Sequence, residues 1–137
     1  MNREIKFRIW ADNKFYNKCL VGNTNNTNDE KWTCPMVWLE KQKEWVHCDN
    51  GIICQYTGLH DKNGKEIYEG DIVYCQTKFG KAKAIIKFID GKFVAYWDSI
   101  LTHPQNGHCI ACYEINKRFE VIGNIYDNSE LLGGKNE

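Results

Sequence analysis

The chain lacks net charge: 18 basic residues are matched by 18 acidic ones over 137 positions. With no global field, nothing draws nucleic acid or anionic lipid to the molecule as a whole, so any such binding has to come from a local patch. Dividing the chain before Thr57 reveals no charge asymmetry either. Long apolar runs are missing too, and none approaches the length of a membrane span. The opening Met1-Asn2-Arg3-Glu4-Ile5-Lys6 alternates charge where a secretory leader would be apolar. A cytoplasmic protein without membrane contact is therefore expected. In that reducing compartment the seven cysteines are expected as thiols, not as a disulfide framework. The motifs of common chemistries are also lacking. There is no Gly-rich phosphate loop, nucleophile elbow or His-Glu-x-x-His helix, and no pair of carboxylates has a spacing that marks it. The expectation is a protein that is not an enzyme and carries no cofactor.

What is present is a globular composition. Hydrophobic residues make up 42% and aromatics 13%. A chain of this length can bury a core without metal or disulfides, and the aromatics with Ile and Val favour strands. Ile5, Phe7 and Ile9 alternate with Glu4, Lys6 and Arg8, which predicts a half-buried strand. Asp12-Asn13-Lys14 reads as a turn, and Phe15-Tyr16 opens a strand running to about Val21. Residues 22–29 hold no apolar side chain and read as a mobile loop. From Trp32 to His47 two strands joined by the polar Glu40–Glu44 turn fit best, with a short helix as the alternative. A strand from Ile52 to Tyr56 follows the Asp49-Asn50-Gly51 turn. Asn63-Gly64 is a type I′ hairpin signal, since both central residues of that turn need positive φ. Glu69-Gly70-Asp71 opens a strand through Tyr74.

The sharpest local reading is a hairpin over residues 81–98, folded at Asp90-Gly91. It sets Ile89 opposite Lys92, Phe88 opposite Phe93, Ile86 opposite Ala95 and Ala84 opposite Trp97. On the other face Lys87 meets Val94, Ile85 meets Tyr96 and Lys83 meets Asp98. Thr102–His108 reads as a loop, a long last strand starts at Tyr113, and Asn128–Leu132 can form one helical turn. Many short strands with frequent turns predict an all-β fold. It takes the form of a small SH3-like barrel in residues 57–137 and an N-terminal β region in residues 1–56, together one domain.

Three segments resemble the YopX family. They are Arg3–Trp10, then Gln55-Tyr56-Thr57-Gly58-Leu59 continuing as Asp61–Val73, then Phe119–Asn128. Their order and spacing match, so the resemblance spans the chain. It implies a phage or prophage accessory protein of the bacterial cytoplasm, β-rich and oligomeric, and it implies no reaction and no catalytic residues. Read from the residues alone, the central motif is structural: Gly58, Gly64 and Gly70 supply turns, Ile67, Ile72 and Val73 supply core, and Asp71 pins a turn through its side chain. In a second reading Tyr56, Tyr68 and Asp61 line a binding surface.

Three constellations carry functional readings. Trp32, Trp38, Trp45, Tyr56 and Tyr68 exceed what one core needs, and surplus aromatics mark interfaces. They favour a non-enzymatic module that binds a protein partner or oligomerises. Lys81, Lys83 and Lys87 share one strand face, with Lys78 nearby and no acid between Asp71 and Asp90. They are a route for a phosphate backbone, with Phe79 or Tyr96 to stack a base. The plainer reading is the solvated face of a barrel strand. His103, His108, Cys109 and Cys112 offer two thiols and two imidazoles to Zn²⁺. Their spacing is cramped, and small buried cysteines are the alternative. His47 beside Cys48 is a poor nucleophile–base pair, because neighbours on a strand point to opposite faces.

Overall fold

The computed structural model describes residues 4–23, 33–77, 80–98, 107–112 and 116–132. The described residues form twelve strands and two single-turn 3-10 helices, so the fold is all-β as expected. The chain divides into two compact units, Ile5–Gln55 and Tyr56–Glu137, the latter together with Met1–Glu4.

In the first unit, β1 (Phe7–Ala11) pairs with β2 (Lys14–Tyr16) around Asp12-Asn13. Both turn residues have positive φ, 53° and 65°, the type I′ geometry that suits the right-handed twist of a hairpin. Ile9 is fully buried and its Cγ2 would lie 2.6 Å from a Cβ at Gly51, so that glycine admits the close approach. Ile5 departs from the expected alternation. It precedes β1 and is 60% exposed. The single strand expected from Phe15 to Val21 is broken at Asn17-Lys18. β2 stays with β1, while β3 (Cys19–Asn23) pairs with β4 (Thr33–Leu39) in a separate sheet. β4 then pairs with β5 (Glu44–His47), which bears out two strands joined by a polar turn. Lys43 closes that turn in a left-handed conformation, its N–H donating to Leu39 O at 2.8 Å. The first residues of β6 (Ile52–His60) pair with β1. The loop expected over 22–29 falls largely outside the described residues.

In the second unit, the rest of β6 pairs with β7 (Glu66–Tyr68). Then come β8 (Asp71–Thr77), β9 (Gly80–Ile89), β10 (Lys92–Asp98), β11 (Gly107–Ala111) and β12 (Phe119–Asn124). These five make one antiparallel sheet, ordered β11-β10-β9-β8-β12, curled into a half-barrel. The β9–β10 hairpin has the expected register from Ile89–Lys92 to Ile85–Tyr96, over a turn with φ of 52° at Asp90 and 80° at Gly91. Ile67, Val73, Cys75, Ala84, Ile86, Ala95, Cys112 and Phe119 form its core, with Leu59, Phe93 and Val121 packed against them. The small alanines face large neighbours, which lets the layer fill without voids. Phe88 sits at the hairpin tip and is exposed, its ring 5.0 Å from that of Phe93.

Two expectations change here. The Asn63-Gly64 turn is not type I′: only Gly64 has positive φ, 84°. Gly64 N–H donates to Asp61 O, so Lys62 and Asn63 are the central turn residues and Gly64 takes the left-handed position after them. The last strand begins at Phe119 rather than Tyr113, preceded by a 3-10 turn at Asn116–Arg118. Asn116 anchors that turn by donating from Nδ2 to His60 O at 2.8 Å. The helical turn expected near the end is present as a 3-10 turn, Ser129–Leu132.

Candidate functional site

The most distinctive segment of the sequence, Tyr56–Val73, is built for architecture. Asp61 is 5% exposed, and both of its carboxylate oxygens are engaged. Oδ1 accepts the N–H groups of Asn63 and Lys65, both at 2.9 Å, and Oδ2 accepts the Val121 N–H at 2.9 Å. One side chain thus closes the β6–β7 turn and ties it to β12. Burial works against the charged carboxylate, yet these three donors outweigh it and hold the group below its ordinary range. Asp71 does the same for the next turn, accepting the Tyr68 N–H at 2.8 Å, as its position suggests. Tyr56 and Tyr68 are buried, with ring centroids 5.4 Å apart. These three residues, read as a possible binding surface, therefore fill the interior. The two tyrosines offer no contact area to a partner.

Cys19, Cys48, Cys75 and Cys112 have thiols that are raised rather than activated. Cys112 is fully buried in the core of the second unit, and burial pushes its thiol up to about 12. Burial raises Cys19 and Cys75, and Cys48 also feels the carboxylates of Asp12 and Asp49. A nucleophilic cysteine needs the opposite shift. Cys109 and His108 lie on β11, and His103 is outside the described residues. Among the described residues, no group of three or more His, Cys, Asp or Glu is placed to hold a metal ion.

Two surfaces remain. The first is one face of the β3-β4-β5 sheet. Register sets Leu20 opposite Met36, Met36 opposite His47, and Trp38 opposite Trp45. Strand alternation turns Pro35 and Val37, both buried, to the other side. The two tryptophans meet edge to face at 5.4 Å and are only half-buried, while Leu20 is 52% exposed. Lys18 places its ammonium 4.1 Å from the Trp38 ring centre. Trp38 Nε1 donates to Glu40 at 2.8 Å, and Glu40 also pairs with Lys43. The result is an apolar, aromatic centre with a charged rim. The sequence names Trp38 and Trp45. Leu20 and Met36 go unnoticed there, though each lies two residues from Lys18 or Trp38. Trp32 lies outside the described residues.

The second surface is the face of the five-stranded sheet turned away from its core. Lys81, Lys83 and Lys87 share it, as the alternation predicts, and register adds Tyr74 opposite Lys83 and Tyr96 opposite Ile85. The Lys87 ammonium lies 4.3 Å from the Tyr96 ring centre, and Lys81 and Lys83 lie 5.3 and 6.0 Å from that of Tyr74. Lys83 also donates to Leu131 O at 2.7 Å. Glu120 is opposite Tyr74 from the other side and pairs with Lys62 at 3.7 Å. Lys78 and Phe79 fall outside the described residues.

The description "YopX protein" matches residues 6–133, nearly the whole chain. The chain belongs to the YopX family. Two solved structures share the fold. Protein EF1440 from Enterococcus faecalis is 21% identical, with a TM-score of 0.63, over 96% of this chain and 100% of that one. Protein yopX from Bacillus subtilis is 20% identical, with a TM-score of 0.59, over 93% and 97%. No functionally curated protein matches. For this YopX-family chain the likenesses speak to fold, and the three recognised segments lie where that fold is fixed: β1, the β6–β8 turns and β12.

Proposed function

We propose that this YopX-family chain is a non-enzymatic accessory protein of phage or prophage, and that it works by binding another protein through the outer face of its β3-β4-β5 sheet. The observation that carries this reading is the cluster of Leu20, Met36, Trp38 and Trp45 on that face. It leaves a leucine more than half exposed beside two partly open tryptophans. Aromatic residues and Met are the types enriched at the centres of protein interfaces, with charged residues at the rim. The occupant that fits is a folded protein presenting an apolar patch ringed by both signs of charge, since Lys18, Glu40 and Lys43 border the face. Trp45 is the anchor, because a large ring at the centre of an interface carries a disproportionate share of the affinity.

The test is a paired recovery from host cells carrying the phage or prophage, using tagged wild type and the Leu20→Ser/Trp45→Ala variant, with and without nuclease. The expected result is a stoichiometric protein that survives nuclease and is lost from the variant. Its reconstitution with wild type from purified components should then weaken at least about tenfold with Trp45→Ala. Recovery of the same proteins by both forms overturns the reading, as does a partner released by nuclease. A second copy of the chain as the lost partner, seen by light scattering, identifies the module as self-associating.

A further inference from the structure

The lysine face of the second unit is independent of the tryptophan face and has a different chemistry. From its geometry we propose that it is a binding surface for single-stranded nucleic acid. Lys81, Lys83 and Lys87 supply phosphate contacts, and Tyr74 and Tyr96 supply stacking platforms.

The five side chains converge because strand alternation puts them on one side of three adjacent strands. Lys81 and Lys83 are about 7 Å apart along β9, and Lys87 lies about 14 Å beyond Lys83, so the cations follow a line of about 20 Å. An extended backbone can run along such a line. The tyrosines lie on the strands flanking it, Tyr74 on β8 and Tyr96 on β10. Both are half-buried, and an ammonium stands over each ring. Lys81 and Lys83 are exposed, and Lys87 is partly so, although Ile72 and Val94 on the same face are buried, so the tyrosine rings border solvent at the lysines. A base can take the lysine's place on the ring, leaving the ammonium to turn to the adjoining phosphate. Stacking of this kind tolerates any base, because every base has a π-face. A duplex hides those faces, and among the described residues this sheet projects no helix or ribbon into a groove. The unpaired strand is therefore the form that fits. Of the acids that strand alternation places on this face, Glu120 is countered by Lys62, and Asp98 lies at the end of β10, beyond Tyr96. Lys83 keeps two of its three donors after bonding Leu131 O.

The probe is a fluorescein-labelled oligomer of about 20 nucleotides and mixed sequence, as single-stranded DNA, RNA of the same sequence and duplex DNA, read by anisotropy at roughly 50 and 200 mM salt. Both single strands should bind, and the duplex should bind more weakly. A preference between DNA and RNA identifies which of the two is the natural ligand. Contact with three phosphates sets the log–log salt slope near −2, from about −0.7 per phosphate on a single strand. Lys81→Glu/Lys87→Glu, which leaves the Lys83–Leu131 bond intact, should abolish binding. Tyr74→Leu/Tyr96→Leu should weaken it roughly tenfold or more while keeping the salt slope, and Tyr74→Phe/Tyr96→Phe should restore it. Trp45→Ala should bind the oligomers as wild type does, which separates this surface from the protein-binding one. Three results overturn the proposal: wild type that does not bind at the lower salt, lysine variants that bind unchanged, or tyrosine-to-leucine variants that bind as wild type, which would reduce the face to diffuse charge. A circular-dichroism melt confirms that each variant is folded. Lys81→Gln/Lys87→Gln repeats the charge test without introducing repulsion.

Discussion

At the scale of single residues, Asp61 shows how a buried charge becomes architecture. Its two oxygens accept three backbone N–H groups from two separate segments, residues 63–65 and Val121. Bonds to a charged acceptor are stronger than neutral ones, and a donor left buried without a partner carries its full desolvation cost. Asp61→Asn keeps one acceptor oxygen and turns the other into a donor facing an N–H. It should therefore cost about 2 kcal/mol at neutral pH, read from urea unfolding curves. The pH dependence has a definite sign. The folded-state pKa is depressed, so the stabilisation is present above the unfolded value and is lost as pH falls through the lower folded value. The gap between wild type and Asp61→Asn should narrow on acidification below the ordinary carboxylate range. A gap that stays constant well below that range would remove Asp61 from this role. The same logic explains why the family's central motif reads so clearly yet names no reaction: its polar residues are consumed by turns.

At the scale of elements, two glycines of that motif separate backbone strain from crowding. Gly64 and Gly70 have nearly the same φ, 84° and 88°. A Cβ at Gly64 would meet open space, whereas one at Gly70 would lie 3.0 Å from Tyr126 Cε2. Gly70 is also held on both sides, its N–H donating to Ile86 O and its carbonyl accepting from Ile125 N–H. Gly64→Ala should cost about 1 kcal/mol, the left-handed penalty alone. Gly70→Ala should cost about 2 kcal/mol or more, because the ring has to yield as well. Equal losses in thermal melts would mean that Tyr126 moves freely out of the way. The elements that were legible in the sequence were those specified by local pattern. The β9–β10 register followed from alternation around Asp90-Gly91, and the β4–β5 pair from a polar turn between apolar runs. Those that were not legible depend on distant partners. The break at Asn17-Lys18 exists because β2 and β3 serve different sheets. The late start of β12 follows an anchor on His60, far away in sequence. The candidate surfaces divide in the same way. Lysine spacing on β9 is a local signal, but Tyr74 joins it only through pairing with β8. Tyr56 and Tyr68 looked like surplus aromatics because composition does not say which rings are buried.

At the scale of the whole molecule, the cysteines report on how the core holds together. Cys75 and Cys112 come from β8 and from the end of β11, opposite parts of the same sheet, yet both are sealed in one apolar cluster with Phe119 and Ile86. The thiolate is the species that reacts with alkylating reagents. With a pKa of about 12, Cys112 has on the order of one thiolate in ten thousand near pH 8 even before access is considered. It should react only when its cluster opens. Cys19 and Cys48 are half-exposed, and although their thiols are raised too, they should label in the native protein. Pulsed iodoacetamide labelling at increasing urea, with each site followed by mass spectrometry, should show Cys75 and Cys112 becoming reactive together in one transition. Two well-separated transitions for these sites would mean that the five-stranded sheet opens piecewise. Such an opening would uncouple the lysine-bearing strand from β12 and make the line of cations on β9 too mobile to hold an extended backbone. A single transition is the rigidity that a line of fixed phosphate contacts requires.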